Sequence, residues 1–313
     1  MLSKEAINAI VHPKTKAKFI NIESEKILFS DGSFLPIYNG APLLLSDNSI
    51  FKIEDITSNK FTTQDADFVK PKSFKNHFRK KILPSLVEDF HIRKRYAELG
   101  EKVNKTNGKV LIIGAGDKVD YYKSLFASCE VIASDVHIQL QADCVIDAHE
   151  IPFEDGFFDL VFAAQVIEHT MNPWLLAQEF QRVTKIGGYI QIEAPQNYPY
   201  HGQPYDFFRF TFTGLRSLFN QCALEKTYIT EGNASMVAVT IANYIVNLTS
   251  HKHIRRISIL GTRLLFGWFK YFDNFKVNKR TLSSPKGYAM TFVKDAKHRF
   301  GEALFEEFFK LRE

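Results

Sequence analysis

The sequence predicts an α/β fold in which a small β-rich unit precedes a doubly wound, mostly parallel sheet. From residue 109 onward, short apolar runs alternate with stretches of helical length, as in sheets covered by helices on both faces. Within residues 1–55, short apolar runs are separated by the turn signals Asp31-Gly32 and Asn39-Gly40. The 313 residues suffice for one large domain and one small one.

The composition is that of an ordinary globular protein, with 45% hydrophobic and 24% charged residues. The net charge of +5 is mild, so no nucleic-acid partner is expected. The three cysteines, Cys129, Cys144 and Cys222, form no Cys-x-x-Cys pair, so neither a zinc site nor a disulfide framework is predicted. The first residues lack a signal-peptide pattern and no apolar run is long enough to span a membrane, which favours a cytoplasmic location.

The segment that joins the two predicted units, residues 56–108, begins as a basic linker. Residues 56–84 are polar and then rich in Lys and Arg, which is typical of a linker or a surface arm. Residues 85–103 suit a leading helix, with Leu86, Phe90 and Tyr96 facing inward.

The core of the large domain is assigned to residues 109–230. A helix is predicted over 173–185, because Pro173 fits its first turn and Gly187-Gly188 follows its end. The predicted strands are 109–113, 130–134, 143–146, 158–163 and 188–193.

A Gly-x-Gly pair, Gly114 and Gly116, stands where the first of these strands ends. Small residues there let the backbone approach a ligand closely. Asp135 ends the second strand, about 20 residues on, the distance expected for a carboxylate that binds ribose hydroxyls. Both NAD and S-adenosylmethionine would suit this arrangement. Val119 occupies the position of the third glycine in a dinucleotide fingerprint, which weakens the case for a diphosphate.

The stretch that follows, residues 146–195, resembles the class I S-adenosylmethionine-dependent methyltransferases of the type 11 branch. The resemblance spans about residues 108–215 and implies a Rossmann-like methyltransferase sheet with S-adenosylmethionine as cofactor. The matching motifs occur in order and are Asp147-Ala148, Ile151-Pro152-Phe153, Asp155, Phe158-Asp159, Glu168-His169, Arg182-Val183 and Lys185-Ile186-Gly187-Gly188.

The resemblance also implies roles for single residues. Gly114 and Gly116 would face the methionine part of the cofactor, and Asp135 would bind its ribose. Asp147 would accept a hydrogen bond from the adenine amino group, and the backbone N–H of Ala148 would meet a ring nitrogen. The alternative is a Rossmann-like sheet in which the two aspartates only cap turns.

Gln165, just past the fourth strand, would line the methionine end of the same site. Two positions depart from the family pattern. Ile112 stands where the family often has an acid, and Lys118 replaces a third glycine. The amino-acid end of the cofactor would therefore be bound differently here.

The segment after the fifth strand, residues 194–219, resembles a stretch of methyltransferases associated with bacterial glycan assembly. The matching residues are Pro195, His201, Pro204, Asp206, Arg209, Thr211, Gly214 and Leu215. We expect His201 to act as the base for a hydroxyl acceptor, or else to pack or cap. Tyr205, Asp206 and Arg209 would bind the acceptor; alternatively, Asp206 and Arg209 form an ion pair that fixes the loop.

The end of the N-terminal unit, Leu35 to Leu44, resembles the small zinc-ribbon-like family that activates tRNA and protein methyltransferases. The family's first Cys-Pro is His12-Pro13 here, and no cysteine precedes Cys129. A structural zinc site needs four ligands of this kind. The resemblance thus implies a zinc-free docking or activating module, and no metal is expected.

Residues 231–313 are predicted to contain an apolar and basic insertion, a last strand and a C-terminal helix. No acid occurs between Gly232 and Phe272. Such a helix either makes peripheral contact with an anionic membrane through 236–280 or covers the sheet with its apolar side. The apolar residues that recur at helical spacing are Ile257, Leu260, Leu264, Trp268 and Phe272.

These resemblances together predict an S-adenosylmethionine-dependent methyltransferase that O-methylates a sugar, a nucleotide-sugar or a lipid-linked glycan in bacterial polysaccharide assembly. Two alternatives stay open. One is a non-catalytic pseudo-methyltransferase that acts as a binding or assembly module, which Ile112 and Lys118 favour. The other is an NAD-dependent sugar oxidoreductase, which is disfavoured because no Tyr-x-x-x-Lys pair follows the fourth strand.

Overall fold

A computed structural model describes residues 2–58, 85–137 and 141–312. Most of the predicted linker therefore lies outside the described residues. The elements before it are α1 (Lys4–Asn8), β1 (Phe19–Glu23), β2 (Lys26–Phe29), β3 (Phe34–Tyr38), β4 (Ala41–Leu44) and α2 (Ile53–Thr57).

The four strands of this N-terminal unit, residues 2–58, form an antiparallel meander in the order β1-β2-β3-β4. Asn39 and Gly40, which join β3 to β4, have φ values of 50° and 80°. Two consecutive residues with positive φ are what the tight turn between antiparallel strands requires. The turn predicted at Asn39-Gly40 is thus confirmed. At the second predicted turn, Asp31-Gly32, Gly32 also has a positive φ, of 83°.

Strands and helices alternate through most of the elements that follow, as predicted. They are α3 (Ile92–Asn104), β5 (Lys109–Ile113), α4 (Val119–Leu125), β6 (Glu130–Ser134), β7 (Val145–Ile146), β8 (Phe158–Ala164), α5 (Pro173–Val183), β9 (Thr184–Pro195), α6 (Phe212–Ser217), β10 (Cys222–Ile229), α7 (Asn233–Asn247), α8 (Lys252–Phe266), β11 (Gly287–Lys294) and α9 (Glu306–Phe309).

Six strands form the central sheet, in the order β10-β11-β9-β8-β5-β6. The pairs β6–β5, β5–β8 and β8–β9 are parallel, whereas the pairs β9–β11 and β11–β10 are antiparallel, so that β11 alone runs against the other strands of this sheet. Alternate residues of β5 face opposite sides, as strand geometry dictates. Val110 and Ile112 pack with α3 and α4, whereas Leu111 and Ile113 pack with α5 and the N-terminal unit. The predicted doubly wound α/β sheet is confirmed.

The strand predicted over 143–146 is wrong in its length and in its partner. Only Val145 and Ile146 are in strand conformation, and they pair in parallel with Leu43 and Leu44 of β4 rather than with the central sheet. A single bridge between Ser134 and Cys144 reaches β6. The reason is local, because the Asp143 carboxylate accepts the backbone N–H of Ala133 at 2.9 Å and thereby occupies a donor that a longer strand would use. Consequently, the N-terminal sheet joins the large domain through β7.

The leading helix also differs from the prediction. It starts at Ile92 instead of 85, because the Asp89 side chain accepts the N–H of His91 and pairs with Arg95 in the first turn. Of the three residues expected to face inward, only Tyr96 is buried; Leu86 is partly buried and Phe90 is exposed, stacked on Tyr271.

The helix expected over 173–185 ends at Val183, where β9 begins. Gly187 and Gly188 lie in an irregularity of β9, since the partners of Phe158 and Leu160 are Thr184 and Tyr189. Gly187, with φ of 80°, supplies the backbone freedom that the irregularity needs.

Helices α7 and α8 pack against each other as a helical hairpin. The five apolar residues noted at helical spacing, Ile257, Leu260, Leu264, Trp268 and Phe272, are between 42% and 69% exposed, so the alternative in which they cover the sheet does not hold. Only Thr262 of α8 is buried. No helix within the described parts of the chain has the length and apolar character to cross a bilayer.

Candidate active site

A cavity of about 360 Å³ opens at the carboxyl ends of β5, β6 and β8. Ligands of open α/β sheets bind at this edge. All six residues predicted to contact a cofactor line this cavity, namely Gly114, Gly116, Asp135, Asp147, Ala148 and Gln165. The structure therefore brings together residues that the sequence distributes over four segments.

The Gly114-Ala115-Gly116 turn forms part of the cavity wall with backbone atoms. Gly114 and Gly116 have φ values of 69° and 57°, in the left-handed region that favours glycine. A Cβ atom added to Gly114 would lie 2.5 Å from Cγ2 of Val166. A side chain at position 114 would therefore clash with the turn that follows β8.

Asp135 connects the end of β6 to this glycine turn. Its Oδ2 accepts the backbone N–H of Gly116 at 2.8 Å, and its Oδ1 accepts that of His137 at 2.9 Å. Burial raises the pKa of Asp135. The carboxylate thus orders the turn on which a cofactor would rest, and ribose binding by Asp135 stays a prediction.

Asp147 joins the cavity to the N-terminal unit. Its Oδ2 accepts the hydroxyl of Ser49 at 2.6 Å, and its Oδ1 accepts the backbone N–H of His149 and lies 2.7 Å from Nδ1 of that ring. Burial alone would raise the pKa of Asp147, but the hydrogen bonds from His149 and Ser49 outweigh burial and lower it. Phe51 also lines the cavity, so the N-terminal unit supplies part of the wall that sequence reasoning missed.

A buried ion pair, which the sequence did not predict, contributes its acids to the cavity wall. Arg95 contacts Asp89 at 2.7 Å, and its Nε donates to Glu193 at the end of β9 at 3.0 Å. Asp89 and Glu193 line the cavity together with Tyr96 and Tyr122. Burial raises the pKa of Glu193 despite the nearby guanidinium. No local motif signals this pair, because α3 and β9 are far apart in sequence.

Gln165 holds an uncommon backbone conformation beside the cavity. Its φ is 58°, and its N–H donates to the Glu193 carbonyl at 2.9 Å. Non-glycine residues in this region concentrate at functional sites. The geometry therefore singles out the same position that the family resemblance implies.

The loop between β9 and α6, residues 196–211, is here named the acceptor loop. None of its predicted residues, His201, Tyr205, Asp206 and Arg209, lies among the residues that line the cavity. Arg209 donates two hydrogen bonds to the Asp206 carboxylate, of 2.6 and 2.8 Å. It also donates to the Tyr198 and Pro199 carbonyls. The ion pair that fixes the loop is therefore present, while acceptor binding by these residues stays a prediction.

The acceptor loop approaches the cavity through two histidines. The rings of His169, which lines the cavity, and His201 have centroids 4.8 Å apart. Nδ1 of His169 lies 2.5 Å from the Tyr205 carbonyl oxygen. Burial lowers the pKa of both imidazoles.

Glu168 completes this group and was marked from the sequence only as part of a motif. Its side chain is fully buried, and neither carboxylate oxygen has a hydrogen-bond partner among the described residues. Burial raises the pKa of Glu168 to about 8. An unpartnered buried carboxyl group next to two imidazoles is a chemically unusual arrangement.

A known family model covers all six predicted cofactor residues that line the cavity. Residues 114–192 match the model of a family described as a methyltransferase domain. No curated protein sequence matches the chain. The matched segment begins at the glycine turn and includes Asp135, Asp147 and Gln165. The domain uses S-adenosylmethionine as its cofactor.

Solved structures with a similar fold include phosphoethanolamine N-methyltransferase 2 of Haemonchus contortus, which is 13% identical, with a TM-score of 0.38 over 63% of this chain and 52% of that chain. An O-methyltransferase of a trans-AT PKS multienzyme of Brevibacillus brevis is 14% identical, with a TM-score of 0.38 over 65% and 75%. A chain of the Haloferax volcanii complex that contains the Trm112 methyltransferase activator is 14% identical, with a TM-score of 0.42 over 68% and 95%.

Proposed function

We propose that this chain, an S-adenosylmethionine-dependent methyltransferase by the domain that it carries, transfers the methyl group to a hydroxyl of a sugar, a nucleotide-sugar or a lipid-linked glycan. One observation supports a hydroxyl acceptor above all. Two neighbouring histidines at the edge of the cavity, His169 and His201, adjoin a buried carboxyl group. Groups of this kind can help to remove a hydroxyl proton as the oxygen becomes methylated.

The chemistry needs little more than alignment. The acceptor oxygen forms a bond to the methyl carbon, the carbon–sulfur bond breaks, and its electron pair stays on sulfur as the thioether of S-adenosylhomocysteine. The hydroxyl proton leaves to a base or to water. Holding donor and acceptor in line accounts for much of the acceleration of such a transfer. The Asp206–Arg209 pair supports this by fixing the acceptor loop beside the cavity.

The sugar acceptor rests on the resemblance of residues 194–219 to methyltransferases of glycan assembly. The test is to incubate the chain with isotopically methyl-labelled S-adenosylmethionine and separate pools of nucleotide-sugars, free sugars and lipid-linked glycans. Label in an ether-linked methyl group of one pool supports the proposal. Label on nitrogen would overturn the hydroxyl acceptor, and no calorimetric binding of S-adenosylmethionine would favour the non-catalytic module.

We also propose that the α7–α8 hairpin lies on an anionic membrane surface, where a lipid-linked acceptor would be found. Its exposed apolar side chains include Ile257, Leu264 and Trp268. Lys252, Arg255 and Arg256 are exposed on the same helix, which contains no acid. Apolar insertion and attraction to anionic lipid would add together on such a helix.

Vesicle flotation tests this contact. The full chain should float with phosphatidylglycerol vesicles at low salt, but less with phosphatidylcholine vesicles or at high salt. Leu264→Asp should reduce flotation, whereas Ile186→Asp, at an equally exposed apolar residue of β9, should not. Flotation that is equal for both variants and the parent chain would overturn the proposal.

A further inference from the structure

We propose that Glu168, His169 and His201 form a binding site for a divalent cation at the edge of the cofactor cavity. One possible ligand atom from each of the three residues lies within 4.8 Å of the others. The absence of thiolates from the N-terminal unit predicts no metal there, but this group contains no cysteine and lies in another part of the fold. The proposal that a cation binds depends only on this geometry. The proposal that the cation takes part in methylation rests on the proposed function.

Glu168 supplies the strongest argument. A buried carboxyl group is costly unless it is hydrogen-bonded, paired or bound to a metal ion. Neither oxygen of Glu168 has a hydrogen-bond partner among the described residues. The two cationic side chains whose charges act on Glu168 bind other acids, since Arg209 pairs with Asp206 at 2.6 Å and Lys286 pairs with Glu231 at 2.7 Å. A bound cation would supply the missing partner.

His169 is oriented as a metal ligand. Its Nδ1 lies 2.5 Å from the Tyr205 carbonyl oxygen, an acceptor, so the proton belongs on Nδ1 and the lone pair on Nε2. That Nε2 lies 3.9 Å from Oε1 of Glu168. A hydrogen bond from the other ring nitrogen to a backbone carbonyl is the usual support of a ligating histidine. Donors on one ion at about 2.1 Å lie roughly 3–3.5 Å apart, so a small inward movement completes the site.

His201 approaches from the acceptor loop, which the protein fixes independently of any cation. The backbone N–H of His201 donates to Asp206 at 2.7 Å, and Arg209 binds the same carboxylate. Two imidazoles and one carboxylate are ligands that favour Zn²⁺ or Fe²⁺ over Mg²⁺ or Ca²⁺, which prefer all-oxygen sites. Methyl transfer involves no change of oxidation state, so we infer that a redox-inert ion such as Zn²⁺ is suited to the site.

Three protein ligands leave at least one coordination position open. An acceptor hydroxyl bound there would lose its proton to water more easily, because the cation stabilises the alkoxide. Its oxygen would then attack the methyl carbon as described above. A histidine whose lone pair binds a cation cannot accept a proton through that nitrogen. His201 would therefore contribute as a ligand rather than as the predicted base.

The test uses the full chain, stripped with a chelator and titrated calorimetrically with Zn²⁺ alone. We expect one ion per chain, and binding weakened by roughly 100-fold or more in His201→Ala and in Glu168→Gln. Co²⁺ should give visible absorption bands that both variants lose. His253→Ala is the control, because His253 is an exposed histidine next to His251 on the hairpin.

The partly exposed His201 can be replaced without disturbing the core, so the test survives if Glu168→Gln fails to fold. No saturable Zn²⁺ binding, or binding that His201→Ala retains in full, would overturn the inference. S-adenosylmethionine binding by the stripped chain is measured separately. If the chain binds S-adenosylmethionine but no Zn²⁺, only the cation site is overturned. If it binds Zn²⁺ but no S-adenosylmethionine, the proposed function is contradicted.

Discussion

Ser49 donates a hydrogen bond of 2.6 Å to the carboxylate of Asp147, across 98 residues of sequence. The bond connects the N-terminal unit directly to a residue that lines the cofactor cavity. The unit is thus built into the wall of the cavity, and its influence on methylation can be tested within this one chain.

Ser49→Ala should weaken cofactor binding. The substitution leaves an oxygen of a buried carboxylate with one donor fewer, which costs about 1–3 kcal/mol. If this cost falls on the bound conformation, affinity for S-adenosylmethionine drops roughly tenfold. Calorimetry measures the change. Ser58→Ala, which removes an exposed hydroxyl in the same unit, should leave the affinity unchanged. If both variants bind S-adenosylmethionine with equal affinity, the N-terminal unit does not contribute to cofactor binding through Ser49.

Gly114→Ala should abolish or severely weaken cofactor binding. The new Cβ would lie 2.5 Å from Val166 and would also strain a backbone with φ of 69°. Gly40→Ala is a matched control, because its φ is 80° but no atom lies within 4 Å of the added Cβ. Both variants should lose stability, by about 1–3 kcal/mol for the strain, but only the first should lose affinity. Normal binding by Gly114→Ala would show that the glycine turn does not contact the cofactor.

Arg95→Met should destabilise the protein strongly. It leaves the buried Glu193 and the partly buried Asp89 without their shared cation, and breaking a buried pair in this way costs about 3–5 kcal/mol. Urea unfolding measures the free energy of unfolding. Lys94→Met removes an exposed pair with Glu98 and should cost no more than about 0.5 kcal/mol. A similar small cost for Arg95→Met would contradict a structural role of the buried pair.

Asp31 should titrate well below an ordinary aspartate. Hydrogen bonds from the side chains of Ser33 and Thr15 and from the Ser33 N–H lower the pKa of Asp31 to about 2. Because the folded-state pKa lies below the unfolded one, the stability that Asp31 contributes is present above about pH 4 and is lost as the pH falls towards 2. An NMR titration of the Asp31 carboxyl carbon measures the pKa, and Asp31→Asn should remove this part of the acid dependence. A midpoint near 4 would refute the prediction.

Local sequence patterns predicted the central sheet well. The runs 109–113 and 130–134 coincide with β5 and β6, because each is a short buried run bounded by polar residues and turns. The glycine turn and both aspartates could also be placed at the carboxyl edge, since consecutive parallel strands must end there. The six predicted cofactor residues therefore meet at one cavity.

Contacts between distant segments could not be predicted in this way. Nothing near Ser49 or Arg95 indicates that Asp147 and Glu193 will be their partners. The short β7 depends on a side chain of Asp143 competing for a backbone donor, which hydrophobic periodicity does not register. The same periodicity identified the apolar side of α8. It could not show whether other parts of the protein bury that side, and in the structure it is exposed.

The pairing of β4 with β7 has a consequence for how the chain folds during synthesis. Leu43 and Leu44 leave the ribosome long before their partners Val145 and Ile146 have been translated. The N-terminal meander can form early from local turns, but its last strand keeps one edge open until the first half of the central sheet exists. That strand edge is therefore exposed during this interval, and translation slowed between the two strands would prolong the exposure.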